Sequence, residues 1–169
     1  MSTHPVALAL FDDPAAAATA ARELRALGVE PERVSIVARS HDEEGVVARA
    51  AGASPGSELE DSGAASRLGE LSAHLLAAIA LVMPGIGPIV ADGPLAAGLG
   101  EAAGHLAGGL GRTLERAGLA RAEAHAWEAQ IRAGAFLVGA HVAPPDVDRV
   151  RDALVRAGGR RVTVGTWQD

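Results

Sequence analysis

The sequence predicts an α+β fold, in which two similar βαβ halves build a ferredoxin-like duplicated sheet and a large glycine/alanine-rich helical hairpin is inserted between them. The strand pattern RVSIVAR at 33–39 is repeated as RVTVGTW at 161–167. Each half also places a helical pattern between two β-type runs, and two such units combine most economically as a four-stranded antiparallel sheet with both helices on one face. The Gly- and Ala-rich segment Leu75–Gly111 separates the halves.

The first half, at 1–40, reads as strand, helix, strand. Val6–Phe11 is a β-type run, and Asp12–Pro14 supplies an N-cap and a proline for the first helical turn. Ala15–Leu27 carries apolar residues at helical spacing, and Gly28 is placed to end the helix. Arg33–Arg39 alternates as a half-buried strand would.

The insertion, at 41–134, has three parts. The polar segment 41–66 is predicted to be a linker with a short helix near Glu44–Ala51, followed by a helical hairpin at 67–114. Its arms are helices over Leu68–Met83 and Pro94–Leu114, separated by PGIGP at 84–88, with Asp92 as the N-cap of the second arm. Glycines at 100, 104 and 108 would let helices approach closely, and a final helix is predicted over Arg121–Arg132.

The second half, at 135–169, repeats the first, and the whole chain forms one structural domain. Ala135–Val142 is the strand, Val147–Ala157 the helix with Gly158–Gly159 at its end, and Arg161–Trp167 the last strand. The helix is expected to turn four apolar side chains inward: Val147, Val150, Leu154 and Val155.

Composition excludes several classes of function. All 15 basic residues are Arg, the formal net charge is −6, and cysteine is absent. Nucleic-acid binding is therefore not expected, and thiol catalysis is excluded. The arginines near the C-terminus alternate with aspartates and predict a solvated helix face: Arg149, Arg151, Arg156, Arg160 and Arg161. The N-terminus lacks a basic signal-peptide region, which predicts an intracellular, cytoplasmic protein.

Several motifs together resemble the bacterial general stress protein 17M-like family, over nearly the whole chain. The resemblance implies a stress-associated intracellular protein of uncharacterised biochemistry and transfers no catalytic residue. The motifs are FDD at 11–13, RVSIVAR at 33–39, PGIGP at 84–88, Ala91 with GPLAA at 93–97, and the entry to the third strand at 134–138.

The hairpin raises the alternative of a membrane-surface protein. The unbroken apolar helix predicted in its first arm is only Leu75–Met83, which is shorter than the roughly 20 residues needed to span a bilayer. The second arm carries Glu101 and His105, which would be costly in hydrocarbon. These residues favour a soluble hairpin that packs on itself or on other copies, with membrane-surface or re-entrant association as the alternative.

Four polar residues of the hairpin form the candidate metal site. Glu70 and His74 share a helix face at i,i+4, as do Glu101 and His105. If the two arms are symmetric about the turn, the residue numbers of opposed positions add up to 175. Each histidine then faces the glutamate of the other arm. Carboxylate and imidazole ligands suit a transition metal such as Zn, Fe or Mn. The structural alternative is a pair of Glu–His hydrogen bonds that fix the register of the hairpin.

Other candidates are weaker. His125 and Glu128 form an expected surface pair. His141 is expected to be a partly exposed sheet residue, and the alternative places it on the sheet face away from the helices, where it could join a site. Trp127 and Trp167 are candidate contact anchors, with core packing the alternative for Trp127. No nucleotide-binding glycine motif, P-loop or nucleophile elbow occurs.

Three functions follow from these residues. The first is a non-enzymatic stress-associated protein that forms a homo-oligomer through its hairpin and sheet, because a surface of small residues buries most area by packing on copies of itself. The second is the membrane-surface protein. The third is a metal-binding protein or enzyme that uses the four hairpin residues. A ligand sensor resembling ACT domains is supported by fold analogy alone.

Overall fold

The computed structural model describes residues 3–39, 79–83, 87–103 and 109–168, and these form a mixed α+β structure around one sheet. Two short 3-10 helices span Pro31–Arg33 and Pro144–Asp146. The elements in chain order are β1 (Thr3–Phe11), α1 (Pro14–Ala26), β2 (Val34–Arg39), β3 (Ile79–Met83), β4 (Gly87–Asp92), α2 (Pro94–Ala103), α3 (Gly109–Arg116), α4 (Arg121–Arg132), β5 (Phe136–His141), α5 (Val147–Arg156) and β6 (Arg160–Gln168).

The strands form an antiparallel sheet in the order β3-β4-β2-β5-β1-β6. The four strands predicted from the two halves, β2, β5, β1 and β6, are contiguous within it. β3 and β4 extend this sheet beyond β2, which the sequence did not predict, and β6 forms the opposite edge.

The sheet is covered on both faces. Alternate residues of β1 enter two separate cores: Ala7, Ala9 and Phe11 pack with α1 and α5. Val6, Leu8 and Leu10 pack with α2, α3 and α4. The two repeat helices therefore lie on one face, as predicted, and helices from the insertion bury the other.

Strand β2 is consequently buried on both faces, and the half-buried prediction is wrong. Val34, Ile36 and Ala38 belong to the core under α1 and α5. Val37 packs in the second core, and Ser35 has no exposed surface. Ser35 made one face of the strand look polar in the sequence, but serine is small enough to be buried. The alternation in RVSIVAR therefore did not indicate that a second helical layer covers this face.

Helix α1 begins and ends where the sequence predicts. The Asp13 side chain accepts a hydrogen bond from the backbone N–H of Ala15 at 3.3 Å, and Pro14 is the first helical residue. Gly28 follows the helix with a φ of 88°, a conformation that favours glycine. Helix α4 has the predicted bounds, Arg121–Arg132.

The first arm of the predicted hairpin differs from expectation, because Ile79–Met83 form a strand and not the end of a helix. Ile79 pairs with Ala91 and Met83 with Gly87 in an antiparallel β-hairpin. β4 then pairs with β2, so the hairpin gains backbone hydrogen bonds from the main sheet. A short run of apolar residues fits a strand or a buried helix equally well by periodicity. The remaining part of this predicted helix lies outside the described residues, as do the linker and its short helix.

The second arm is also different, because α2 and α3 are separate helices that pack against each other. A Cβ placed on Gly98 of α2 would lie 3.3 Å from Cγ2 of Thr113 in α3. Residues 15 positions apart in one straight helix would be separated by roughly 22 Å. The single helix predicted over Pro94–Leu114 is therefore wrong. Glycine does permit a close approach here, but at Gly98. Of the predicted positions, only 100 belongs to α2, and 104 and 108 lie outside the described residues.

Candidate functional site

The predicted metal site lies outside the part of the chain that can be described. Glu70, His74 and His105 are not among the described residues, and only the backbone of Glu101 is placed, in α2. The residue numbers of paired positions in β3 and β4 add up to 170, whereas the predicted site requires opposed positions that add up to 175. The observed hairpin is therefore not centred where the predicted site requires. Within residues 3–39, 79–83, 87–103 and 109–168, no three His, Asp or Glu side chains are grouped as metal ligands. The four-residue site stays a prediction.

A histidine pair lies between two strands of the main sheet. Nε2 of His4 on β1 is 2.5 Å from Nδ1 of His141 on β5, so one proton is held between two imidazole rings. The edge of the His141 ring contacts Trp167 of β6, with ring centroids 5.0 Å apart. His141 is 4% exposed, because helices of the insertion cover this face. The expectation of a partly exposed histidine is wrong, and His4 was not predicted.

Both tryptophans are core residues rather than surface anchors. Trp127 is fully buried in α4, which confirms the packing alternative, and Trp167 is 6% exposed. The guanidinium carbon of Arg116 lies 5.1 Å from the centre of the Trp167 ring, as a cation–π contact requires. The predicted role of the indoles as exposed contact anchors is therefore wrong.

Arg149, Arg151 and Arg156 are exposed on α5, as predicted, whereas Arg160 and Arg161 are exposed residues of β6 and not of a helix face. Arg151 bonds to Asp152 and pairs with Asp148 at 2.9 Å, and these contacts raise the pKa of its guanidinium. Arg156 pairs with Glu23 on α1. Val155 differs from expectation, since it is 54% exposed on this helix rather than turned inward. On α4, Glu128 pairs with Arg132 at 3.2 Å.

A cavity of about 230 Å³ opens where the C-terminal end of α1 meets the N-terminal end of α5. Its walls come from the connection between α1 and β2 and from the connection between β5 and α5. The lining is aliphatic at Leu27, Val29, Val142 and Val150. His141 also borders it, but its ring packs on Trp167 at the opposite face of the sheet.

The charged residues of this cavity are balanced. Arg33 pairs with Glu30 at 3.6 Å on one wall, and Arg149 pairs with Asp146 at 3.2 Å on the other. All four side chains are substantially exposed, so each pair is weak and its partners can be exchanged. The sequence analysis assigned Arg149 to a solvated helix face and identified none of the four residues as part of a cavity, because i,i+3 charge pairs are typical of any surface.

Strand β6 presents unpaired backbone groups to one side. The carbonyl of Pro5 accepts a hydrogen bond from the Val142 N–H, so the polar backbone groups of Pro5 point toward β5. Thr166 is the residue opposite Pro5 on β6, and its N–H and C=O must therefore point away from β1. Val164, two residues earlier, points the same way. Among the described strands, none pairs with this side of β6.

The composition of β6 offers little protection against further pairing. Val162–Gln168 contain no charged residue and no proline. Protection is limited to the beginning of the strand, where a bulge and Arg160 and Arg161 interrupt the regular pairing with β1. The Ala117–Gly118 turn covers the face of Gly165, since a Cβ there would lie 1.9 Å from the Ala117 carbonyl oxygen. The same turn lies against the backbone of Thr166, since a Cβ on Gly118 would lie 2.7 Å from the Thr166 nitrogen, and Arg116 donates to the Gln168 carbonyl at 3.5 Å. The part of the strand edge that these contacts leave accessible is around Val164.

Among the helices that the structure describes, none is both long and apolar enough to cross a membrane. No family model, no curated protein and no solved structure matches this chain.

Proposed function

We propose that this chain is a non-enzymatic protein that self-associates, and that the β6 strands of two copies pair antiparallel to continue the sheet. The observation that supports this most directly is the outward direction of the Val164 backbone groups in the uncharged part of an edge strand. Unpaired edge groups are a template for another strand, and natural proteins usually block them with charge, proline or a covering element.

A second copy of the chain is the partner that fits this edge. A two-fold axis perpendicular to β6 would place the same strand against itself in antiparallel orientation, and twofold dimers are the commonest closed assemblies. The segment around Val164 can form backbone hydrogen bonds to a second strand, and Val164, 40% exposed, would gain cover. Arg160 and Arg161 carry like charges at one end only, so an antiparallel pair keeps the two arginine clusters apart.

We also propose that the fold is a ferredoxin-like duplication. The order β2-β5-β1-β6, with α1 and α5 on one face, supports a ferredoxin-like duplication of two βαβ units. The resemblance to the general stress protein 17M-like family adds a role in a bacterial stress response. That role rests on the sequence motifs alone.

The test compares two substitutions of one residue by size-exclusion chromatography with light scattering. Val164→Pro removes the outward N–H and should leave the β1–β6 hydrogen bonds in place, because those come from the other side of the strand. Val164→Ala is the matched control, since it removes side-chain surface and keeps the N–H. We expect the wild type and Val164→Ala to have twice the chain mass of 17.0 kDa, and Val164→Pro to be a monomer with an unchanged circular dichroism spectrum.

Two results would contradict the proposal. A wild-type monomer at about 100 µM would exclude stable self-association, since interfaces of biological dimers reach micromolar affinity or better. A folded Val164→Pro variant with the wild-type mass would place the interface elsewhere than β6.

A further inference from the structure

We propose that the cavity between α1 and α5 binds a small aliphatic zwitterion, of which a free branched-chain amino acid is the simplest example. The cavity is not needed for self-association through β6, so the two proposals are independent. The volume of the cavity, the arrangement of its charges and its aliphatic lining support this class of ligand.

The volume limits the ligand to a small metabolite. Sites for drug-sized molecules enclose about 300 to 1,000 Å³, and this cavity holds about 230 Å³. Its lining includes no Trp, Tyr or Phe on which a nucleobase or a sugar ring could stack. A compact molecule with a short aliphatic part fits the space, and a nucleotide does not.

The charges favour a ligand that carries both signs. Arg33 and Arg149 can each take a carboxylate in a bidentate hydrogen bond, while Glu30 and Asp146 can take an ammonium group. Each arginine already has an acidic neighbour, at 3.6 Å and 3.2 Å. The walls therefore carry no excess positive charge for a phosphate and no excess negative charge for a metal ion. The carboxylate of a zwitterion can bind the arginine of a pair while its ammonium group binds the acidic residue, so neither charge of the protein is left unpaired.

The aliphatic residues supply the remaining selectivity. Val142 and Val150 are buried, and Leu27 and Val29 are half-buried at the same opening. A branched aliphatic side chain against these residues would remove apolar surface from water on both sides. Glycine, which has the same charges and no side chain, would lose this contribution and should bind at least about tenfold more weakly.

Isothermal titration calorimetry on the full chain tests this, with L-leucine and L-valine as probes. Because the charge pairs are exposed, we expect dissociation constants of about 0.1 to 1 mM for both. Isopentylamine, which is leucine without its carboxylate, and 4-methylpentanoate, which is leucine without its ammonium group, should each bind about tenfold or more weakly.

Two variants and two matched controls locate the site. Arg149→Gln should weaken leucine binding by about tenfold or more, since it removes a charged donor, whereas Arg156→Gln on the same helix, outside the cavity lining, should not. Val29→Trp should abolish binding by filling the cavity, whereas Val155→Trp places the same bulk on the exposed face of α5. Each variant is compared with the wild type by circular dichroism. Amide chemical shifts of Val29 and Ala143 in the wild type provide a second readout, and leucine should move both.

Three outcomes would overturn the proposal. The first is no heat from either probe up to about 10 mM, a range in which affinities of physiological relevance would be detected. The second is leucine binding that survives both Arg149→Gln and Val29→Trp with unmoved amides in the cavity. The third is equal binding of leucine and its two singly charged analogues, which would mean that the charges are not used.

Discussion

Gly165 shows how a single residue fixes the position of the insertion on the sheet. The turn after α3 lies so close to β6 that a Cβ on Gly165 would meet the Ala117 carbonyl oxygen at 1.9 Å. The atom it meets is backbone and cannot rotate away, so the turn would have to move. Only glycine allows the second helical layer to come this near to the edge strand.

We expect Gly165→Ala to lower the free energy of unfolding by about 1 to 3 kcal/mol, the range for overpacking a fitted interior. Urea denaturation at constant protein concentration measures the change. Gly111→Ala is the matched control, because a Cβ there meets only Oε2 of Glu128, at 3.1 Å, and that carboxylate can rotate. Alanine in the interior of α3 should be neutral or gain up to about 1 kcal/mol. Equal stability of Gly165→Ala and the wild type would mean that the turn is not held at this distance.

For the candidate site, the sequence pointed to some residues by their type but did not predict the contacts between them. His141 and Trp167 were singled out by type, but nothing in their neighbours indicates that they contact each other, or that His4 joins them. These contacts join strands whose residues lie far apart in the chain. The cavity was missed for the same reason, since its two walls are connections more than 100 residues apart.

Helix α2 begins with a cap that comes from another element. The residue before it is Gly93, which has no side-chain oxygen, and the Leu95 N–H donates instead to Oγ of Ser35 on β2, at 3.1 Å. Asp92, predicted to be the N-cap, is the last residue of β4 and pairs with Ile36. A buried serine in an otherwise apolar strand thus serves the first turn of the neighbouring helix.

We expect Ser35→Ala to cost about 1 to 3 kcal/mol in unfolding free energy, because it leaves a buried N–H without an acceptor. Thermal denaturation compares it with Thr19→Ala, whose hydroxyl bonds to Ala15 O within α1 at the surface and whose loss should change little. If the two variants were equally stable, the Leu95 N–H would have another acceptor, and Ser35 would not be the cap.

The elements of the two halves could be predicted because local signals agree with the tertiary structure. α1 has a capping aspartate, a first-turn proline and a terminal glycine, and all three take the expected positions. Ile79–Met83 lacked such signals, and its strand state comes from pairing with β4, which in turn pairs with β2. Tertiary pairing therefore decided the state of an ambiguous apolar run, which no local pattern could show.

In the part of the chain that the structure describes, α2, α3 and α4 build one of two hydrophobic cores. Residues from α2, α3 and α4 cover the sheet face that the repeat helices leave open, and Trp127 and Leu99 lie fully buried there. Because β1 contributes alternate side chains to both cores, the two layers share one strand. If either helical layer came away, it would expose one face of the sheet on which the other layer packs. The described part of the chain should therefore unfold as one cooperative unit.

Leu99→Ala tests this cooperativity, because Leu99 lies in the core built by the insertion and far in sequence from both repeat helices. We expect a loss of about 2 to 5 kcal/mol for the cavity it creates, and a single urea transition at which tryptophan fluorescence and far-ultraviolet circular dichroism coincide. Fluorescence reports on the insertion side, since Trp127 and Trp167 both pack there, whereas circular dichroism reports on all elements. The control Val155→Ala, at an exposed position on α5, should shift the midpoint little. An earlier fluorescence transition in Leu99→Ala would show that the insertion unfolds separately from a stable βαβ sheet.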